Sequence, residues 1–501
     1  MANSNPFSPE RFEFEKKLLS KKFVQEDAIA WNRRPDSLAN DRPNVVELTR
    51  ITSEVVERAR LTIANGVVDD PEILSAYWDA SSYLLLYRHF TVFPIGEWLQ
   101  VGSTGSDRIA RTWDEFLTDY RHLLDMPAIK QLIPGDPAHL FACLSQIHRA
   151  FFNIFDHILG DSLPVANLRA RVWESIFSGN VRRFHSGLWA RMNSVATLIT
   201  GPSGTGKELV ARAIGLSSYI PFHAGQKKFD FQGEQEFFPV NLSALSRTLV
   251  ESELFGHRKG AFTGATSDRK GWLESCGKYG SVFLDEIGEL DGEMQVKLLR
   301  TIQQRTYSRI GESQERKFQG KVIAATNRDL SKEVSSGRFR EDLYYRICSD
   351  RIETPSLRSQ LDHNPDDLRF LVQNITSRNF SGESSTITNE VMDWIAEKLG
   401  PEYPWSGNIR ELEQCIWNLV IHGSYVPLGR PPDDDRTSIP GWARQAIARN
   451  LTADELLGEY CAWVYAECGN YEASAERLGI DRRTVKSRID DMIRKRNGSR
   501  N

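Results

Sequence analysis

No run of apolar residues in this 501-residue chain is long enough to cross a bilayer as a helix, and the opening MANSNPFSPERFEFEKK lacks the pattern of a secretory signal. A membrane or exported protein is therefore not expected, and the plain expectation is a cytoplasmic one. Cysteine is sparse: the six, at positions 143, 276, 348, 415, 461 and 468, follow no metal-ligand spacing and form no disulfide framework, so reduced thiols are expected. Net charge is near balance at −4, which makes any locally basic segment conspicuous. The first third lacks the strand-helix alternation and clustered acids of a phosphoacceptor receiver domain, so nothing in it points to control by a partner kinase. Its apolar residues recur instead at helical spacing, in ILSAYWDASSYLLLYRHF (73–90) and LFACLSQIHRAFFNIFDHIL (140–159), and predict a mainly helical region. Trp78, Tyr83, Tyr87, Phe90, Phe151, Phe152 and Phe155 read there as core before they read as the lining of a ligand pocket. His148 and His157 stand nine apart, on opposite faces of one helix, so they are not expected to share a metal.

What is present is phosphate chemistry. The apolar run 195–199 leads into GPSGTGKE (201–208), and a helical pattern with Leu209, Val210, Ala213 and Ile214 follows. In such a strand, loop and helix, Gly201, Gly204 and Gly206, with Thr205 between them, let backbone N–H groups turn inward. Lys207 brings positive charge to the outer phosphates, and the helix N-terminus adds its dipole. The hydroxyl that the generic pattern places after the lysine is missing, and Glu208 stands there. A second strand, 281–284, delivers Asp285 and Glu286 at its end: Asp285 suits a magnesium-bound water and Glu286 suits polarising an attacking water. A third, 321–325, ends in Thr326 and Asn327, and Asn327 suits placing that water or sensing the terminal phosphate. Each motif alone also reads as an ordinary strand end. In this order they predict a parallel sheet with phosphate chemistry at its carboxyl edge. About fifty residues after the loop comes GAFTGA (260–265), in which Gly260 and Gly264 flank Ala261, Phe262 and Thr263, and Ala265 closes the run. The two glycines permit a tight, mobile turn with Phe262 as an apolar probe at its tip.

With these motifs in place, residues 171–425 resemble the AAA+ domain of bacterial enhancer-binding proteins, the activators of sigma-54 RNA polymerase. The resemblance rests on GPSGTGKE, where glutamate after the lysine is usual for that family, and on VNLSAL (240–245), ESELFGHRKGAFTGA (251–265), VFLDEI (282–287), AATNRDL (324–330), GRFREDLYYRI (337–347) and YPWSGNIREL (403–412). It covers about half of the chain. It implies ATP and Mg2+ as cofactors, sigma-54 RNA polymerase as a partner, and residues Gly260 to Ala265 as the loop that touches sigma-54, with Phe262 and Thr263 as contact points. It implies Asn241 as the resting partner of Glu286, Arg340 and Arg346 as arginine fingers toward a neighbouring subunit, and Arg410 in the lid as a sensor of its own subunit's nucleotide. Fingers acting in trans imply a ring, a hexamer assembled from dimers. Two segments depart from the family pattern: HAGQKKFDFQGEQEFF (223–238) is longer than the usual connection, and SQLDHNPDD (359–367) replaces a common Glu-Arg-acidic run.

GNYEASAERLGIDRRTVKSRI (469–489) predicts two short helices around a glycine turn, with Ala475 small enough for close approach, Gly479 at the bend and Ile480, Val485 and Ile489 buried. The second helix carries Arg482, Arg483, Lys486 and Arg488 for DNA, with Thr484 and Ser487 placed for base edges or phosphates. From residue 481 onward eight basic residues stand against three acidic ones. The segment is similar to the Fis-type DNA-binding domain that closes many enhancer-binding proteins, which implies double-stranded enhancer DNA as a partner.

GRPPDDDRTSIP (429–440) reads as a linker. The expected organisation is multidomain: a helical regulatory or sensor domain 1–161, a linker helix 162–190, an α/β P-loop ATPase 191–355, its helical lid 356–425, a linker 426–450, and an all-α helix-turn-helix 451–501. The expected function is an ATP-hydrolysing activator of sigma-54 transcription, with a signal sensed by the N-terminal region that the residues do not name. Two other classes share part of this inventory. An AAA+ remodelling or chaperone ATPase needs neither GAFTGA nor the helix-turn-helix, and a DNA-binding repressor using the AAA+ core as a scaffold needs neither an intact loop nor the acidic pair.

Overall fold

Proline opens five of the described helices of the N-terminal region. Pro9–Leu19, Pro43–Ala64, Pro71–Phe90, Pro127–Leu132 and Pro137–His157 all begin on the residue whose missing N–H is no loss at a helix start. The chain is seen in a computed structural model that describes residues 5–24, 43–90, 103–230, 237–244, 246–380, 382–428, 446 and 451–498. The helix Pro137–His157 is capped by Asp136, whose carboxylate accepts from Ala138 N, and is buried on every side from Leu140 to Ala150. A helix apolar all round is a core helix. The expected aromatic stripe is core as well: Trp78, Phe90 and Phe155 are buried, and Tyr83 and Phe151 pack against them.

Five parallel strands form the central sheet: β1 (Thr197–Thr200), β2 (Phe237–Asn241), β3 (Ser281–Asp285), β4 (Lys321–Thr326) and β5 (Asp350–Glu353), in the order β5-β1-β4-β3-β2. Thr200 pairs with Thr326 and Glu353, and Asn241 with Asp285, so the polar ends of all five strands share one edge. Side chains alternate between the faces, as a strand's period of two requires. One face carries Leu198, Val282, Leu284, Val322 and Ala324 into a core with the helices Gly292–Gln304 and Glu341–Ile347. The other carries Ile199, Phe283, Ile323, Ala325 and Ile352 into a core that runs without a break into the N-terminal helices. The helices Leu357–His363, Asp366–Asn379, Ser384–Lys398 and Asn408–His422 occupy the stretch expected to form the lid and are termed the lid.

The chain divides into two compact units, Met1–Gly423 and Ser424–Asn501. The change of architecture expected at residue 161 therefore falls inside one unit. The long connection after β1 explains part of this. Phe222–His223 and Lys228–Phe229 pair as a hairpin whose Phe222 and Phe229 rings lie 4.6 and 6.0 Å from Phe141 of the N-terminal region, while Lys227 Nζ reaches Asp114 at 2.6 Å. Residues 231–236 of that connection and the linker 429–440 lie outside the described residues. The second unit contains the helices Ala453–Cys468, Tyr471–Leu478 and Arg482–Gly498 around Cys461, Val485 and Ile489, with Ala475 and Ile480 packed against them. Gly479 ends the middle helix in the left-handed conformation expected of the turn.

A shared core predicts shared melting. Phe141 is fully buried, so Phe141→Ala should cost about 3–5 kcal/mol and, in calorimetry of the full chain, move the helical region and the sheet region together. Independent melting of the helical region would contradict the single core.

Candidate functional site

After Thr200 the chain turns through Gly201 and Gly204 at φ +147° and +77°. Side chains have no room there: a Cβ on Gly201 would sit 2.1 Å from Thr354 Oγ1, and one on Gly204 2.2 Å from the Gly407 carbonyl. Gly206, also left-handed, caps the helix Lys207–Gly215. Lys207 is buried, and its ammonium donates to the Gly201 and Pro202 carbonyls at 3.0 Å each. Burial holds its pKa below the usual lysine range, against the pull of Glu286 and Asp285. Thr205 fixes the shape of the loop, donating to the Pro202 carbonyl at 2.9 Å and meeting Thr354 Oγ1 at 2.7 Å. Glu208 is exposed and lies 3.3 Å from Arg212, one turn on.

Across the edge, Asp285 ends β3 half-buried, and burial pushes its carboxyl above the usual range. Glu286 follows in the left-handed region at φ +56°, a conformation that costs a non-glycine residue about 1–2 kcal/mol. Its carboxylate accepts from the backbone N–H of Asn327 at 3.4 Å. Asn241, expected to pair with Glu286, is placed beside Asp285 by the strand register but turns its carboxamide oxygen to Ser243 N (3.0 Å), Ser243 Oγ (2.7 Å) and Ala244 N (3.2 Å). The local turn orients the Asn241 carboxamide, and the donor to the Glu286 carboxylate is the backbone N–H of Asn327.

The lid is fastened to the same loop. Arg410 donates to Ser203 Oγ at 3.1 Å, Asn408 Nδ2 to the Ser203 carbonyl at 2.9 Å, and Ile409 N to the Gly204 carbonyl at 3.0 Å. Sequence reasoning found Arg410 but missed Asn408 and Thr354. Their signals were the Trp405-Ser406-Gly407-Asn408 turn and the Thr354-Pro355 step that closes β5. A cleft of about 130 Å³ opens beside the loop between Thr205, Leu209, Ile158, Ile375 and Ile409.

Arg340 and Arg346 are both exposed. Arg340 caps the helix Glu341–Ile347 in extended conformation, with its guanidinium 3.0 and 2.7 Å from the Asp342 carboxylate. Only Arg346 is on the helix, and among the described residues its guanidinium has no ion pair.

GAFTGA forms a closed turn, Gly260 N donating to the Ala265 carbonyl at 2.9 Å and Ala265 N to that of Phe262 at 3.0 Å. Its tip is Thr263 and Gly264, which are exposed. Phe262 is not the exposed probe expected. It is half-buried, edge to face with His257 at 4.9 Å, and His257 is itself buried against Ser252 Oγ at 2.7 Å. An aromatic ring left in water forfeits its burial energy, and a neighbouring ring offers an edge contact. Below the turn, Arg258 N donates to the Ile310 carbonyl, and Arg309 grips Glu274 with Nε and a terminal nitrogen at 2.7–2.9 Å.

In the second unit the six basic and hydroxyl residues separate. Arg483, Lys486 and Ser487 are exposed on the last helix. Arg482 pairs with Glu472 at 3.0 Å and Arg488 with Asp454 at 2.7 Å, while Thr484 binds the Asp481 carboxylate through its N–H at 3.0 Å and through its hydroxyl.

Residues 183–353 match the sigma-54 interaction domain family. Among similar proteins are the transcriptional regulatory protein ZraR of Klebsiella oxytoca, 38% identical over 59% of this chain and 63% of that protein, and the Nif-specific regulatory protein of Azotobacter vinelandii, 42% identical over 60% and 55%. The DNA-binding transcriptional regulator NtrC of Proteus hauseri is 38% identical over 53% and 54%. The chain spans less than two thirds of the length of each.

The contact between lid and loop has a sharp test. Gly204→Ala forces a Cβ against the Gly407 carbonyl and strains a left-handed residue, so it should weaken nucleotide binding at least about tenfold, an energy of about 1.4 kcal/mol. Unchanged binding in a titration would show that the lid need not close on the loop.

Proposed function

We propose that this chain, a member of the sigma-54-dependent enhancer-binding activators through its AAA+ region, hydrolyses ATP in a self-assembled ring and uses the cycle to remodel sigma-54 RNA polymerase. One observation carries the reading above all. Lys207, Asp285, Glu286 and the Asn327 N–H meet at the carboxyl edge of one sheet, on the same polypeptide as a GAFTGA turn.

The chemistry follows from those positions. Lys207 exchanges the Gly201 and Pro202 carbonyls for phosphate oxygens, the inward N–H groups of the loop bind the rest of the triphosphate, and Arg410 closes the lid on it. Glu286 orients a water and takes its proton as the water oxygen bonds to the γ-phosphorus. The bond from that phosphorus to the bridging oxygen breaks, and ADP and phosphate leave. The half-buried Asp285, whose desolvation a divalent cation offsets, suits holding Mg2+ through water, and the ion when bound supplies charge neutralisation at the phosphate oxygens. Arg346, on its exposed helix, and Arg340, once released from Asp342, serve the neighbouring subunit's γ-phosphate, where a guanidinium can be worth roughly a thousandfold in rate. The ring, which we take to be a hexamer built from dimers, follows from that need.

The docked Phe262 suits a turn with two positions, one resting on His257 and one extended so that Phe262 and Thr263 touch sigma-54. The second unit binds double-stranded enhancer DNA through Arg483, Lys486 and Ser487, with Arg482 and Arg488 joining as phosphates displace their carboxylate partners. The helical N-terminal region regulates the cycle, and all of this takes place in the cytoplasm.

Lys207→Ala should abolish ATP binding, whereas Glu286→Ala should bind ATP and lose turnover by at least about a hundredfold; a steady-state assay with normal turnover in either variant would refute the site. Thr263→Ala should keep ATPase activity and lose sigma-54 binding in a pull-down. Arg483→Ala and Lys486→Ala should each flatten the salt dependence of DNA binding by about one unit of slope and leave basal ATPase unchanged, and an unaltered slope would remove those residues from the interface.

A further inference from the structure

The helix that carries Lys207 at its start is held at its end by another part of the chain. Lys207–Gly215 is nine residues long, about 13 Å from end to end. The carbonyls that follow its last turn have no partner within the helix. Three side chains from the N-terminal helix Pro137–His157 supply donors to them: Gln146 Nε2 to the Ser217 carbonyl at 2.8 Å, Arg149 to that of Ser218 at 2.8 Å, and Asn153 Nδ2 to that of Leu216 at 2.9 Å. Positions 146, 149 and 153 lie on one face of their helix. Arg149 is buried, and its charge sits at the negative end of the same helix dipole whose positive end faces the phosphate site. Val210, Ala211, Ala213 and Ile214 are buried in the core shared with Leu144 and Ile147, which leaves the helix Lys207–Gly215 wedged between the sheet and the N-terminal region.

The far end of Pro137–His157 is tied to the site as well. It runs into a strap, 158–162, that borders the cleft beside the loop. Arg169, buried, donates to the Ile158 carbonyl at 3.0 and 2.8 Å and to the Gly160 carbonyl at 2.9 Å. Asp367 of the lid, also buried, accepts from Asp161 N at 2.7 Å and Ser162 N at 3.0 Å. Asp367 closes the second departing segment, 359–367, and residues 223–229 of the first belong to the hairpin against Phe141. The described parts of both unusual segments are thus places where the sheet region and lid meet the N-terminal region or the strap that follows it.

We infer that Gln146, Arg149 and Asn153 are positioning residues for the nucleotide loop, so that the N-terminal region sets ATP affinity by direct hydrogen bonds to the helix behind Lys207. The inference rests on the reading of that loop as the ATP site. A signal that shifts Pro137–His157 along or about its axis breaks these bonds together, frees the C-terminal end of Lys207–Gly215, and changes the loop at the other end. The N-terminal region is in this sense a wall of the ATPase and not a tethered sensor.

The test uses the full chain with near-isosteric variants that lose the donor, Gln146→Met, Asn153→Leu and Arg149→Met, and with Arg149→Lys, which keeps a charged donor. ATP affinity is measured by calorimetric titration with Mg2+, kcat by steady-state turnover, and Tm with and without ATP. The expected result is a Kd raised about tenfold by Arg149→Met and about threefold by each of the other two donor losses, with kcat within about twofold and recovery of most of the affinity in Arg149→Lys. The shift in Tm given by saturating ATP should shrink in parallel with affinity. A lowered Tm with unchanged Kd would overturn the inference and leave the contacts merely structural. If Arg149→Met fails to fold, Gln146→Met and Asn153→Leu decide by the same criterion. A wild-type chain that binds no more ATP than Lys207→Ala would refute the ATP site itself, whereas wild-type binding with no loss in the variants would sink only the positioning role.

Discussion

Everything at the candidate site depends on the position of β1. It lies between β4 and β5 in a sheet of order β5-β1-β4-β3-β2, so the loop that leaves it opens beside Thr326 and Thr354 at the ends of its two neighbours, with Asp285 one strand further along the same edge. No two of these groups are close in sequence, and a parallel sheet is what gathers them. The close approaches follow. Thr354 and the Gly407 carbonyl crowd the loop until only glycine fits at 201 and 204, and Glu286 accepts a left-handed backbone in a turn that leaves its carboxylate beside Asn327. Strain of this kind persists only where the surroundings over-determine the conformation.

The same constraint reaches outward through the helix Lys207–Gly215. With one flank on the sheet and the other on Pro137–His157, it leaves only Glu208 and Leu209 exposed, and its movement is shared with whatever moves those neighbours. The lid adds a third attachment through Asn408, Ile409 and Arg410. In such a frame, regulation needs no long-range signal. A change of packing among the N-terminal helices is a change in the walls of the site.

Much of this was legible in the residues. GPSGTGKE, VFLDEI and AATNRDL announced strand ends bearing phosphate chemistry, and the structure brings Lys207, Asp285, Glu286 and Asn327 to one edge. The glycine turn and apolar stripe of the last unit were equally plain, because Gly479, Val485 and Ile489 follow local rules. The failures share a cause, which is competition among partners that a one-dimensional pattern does not rank. Asn241 is oriented by its own turn, and Phe262 finds His257. The continuity of the N-terminal helices with the sheet was hidden for another reason. Buried polar contacts such as Arg149 with the Ser218 carbonyl join positions 69 residues apart and have no periodicity. Only the two segments that departed from the family pattern hinted at it, and both turned out to contact that region.

The central claim is that ATP hydrolysis at this edge drives sigma-54 polymerase. The most direct measurement is open-complex formation at a sigma-54 promoter carrying the chain's DNA site, followed by base reactivity in the melted region. The account predicts melting that requires the full chain and ATP and that is absent with a non-hydrolysable analogue. Hydrolysis of ATP by the chain with no melting at any promoter bearing its site would contradict it.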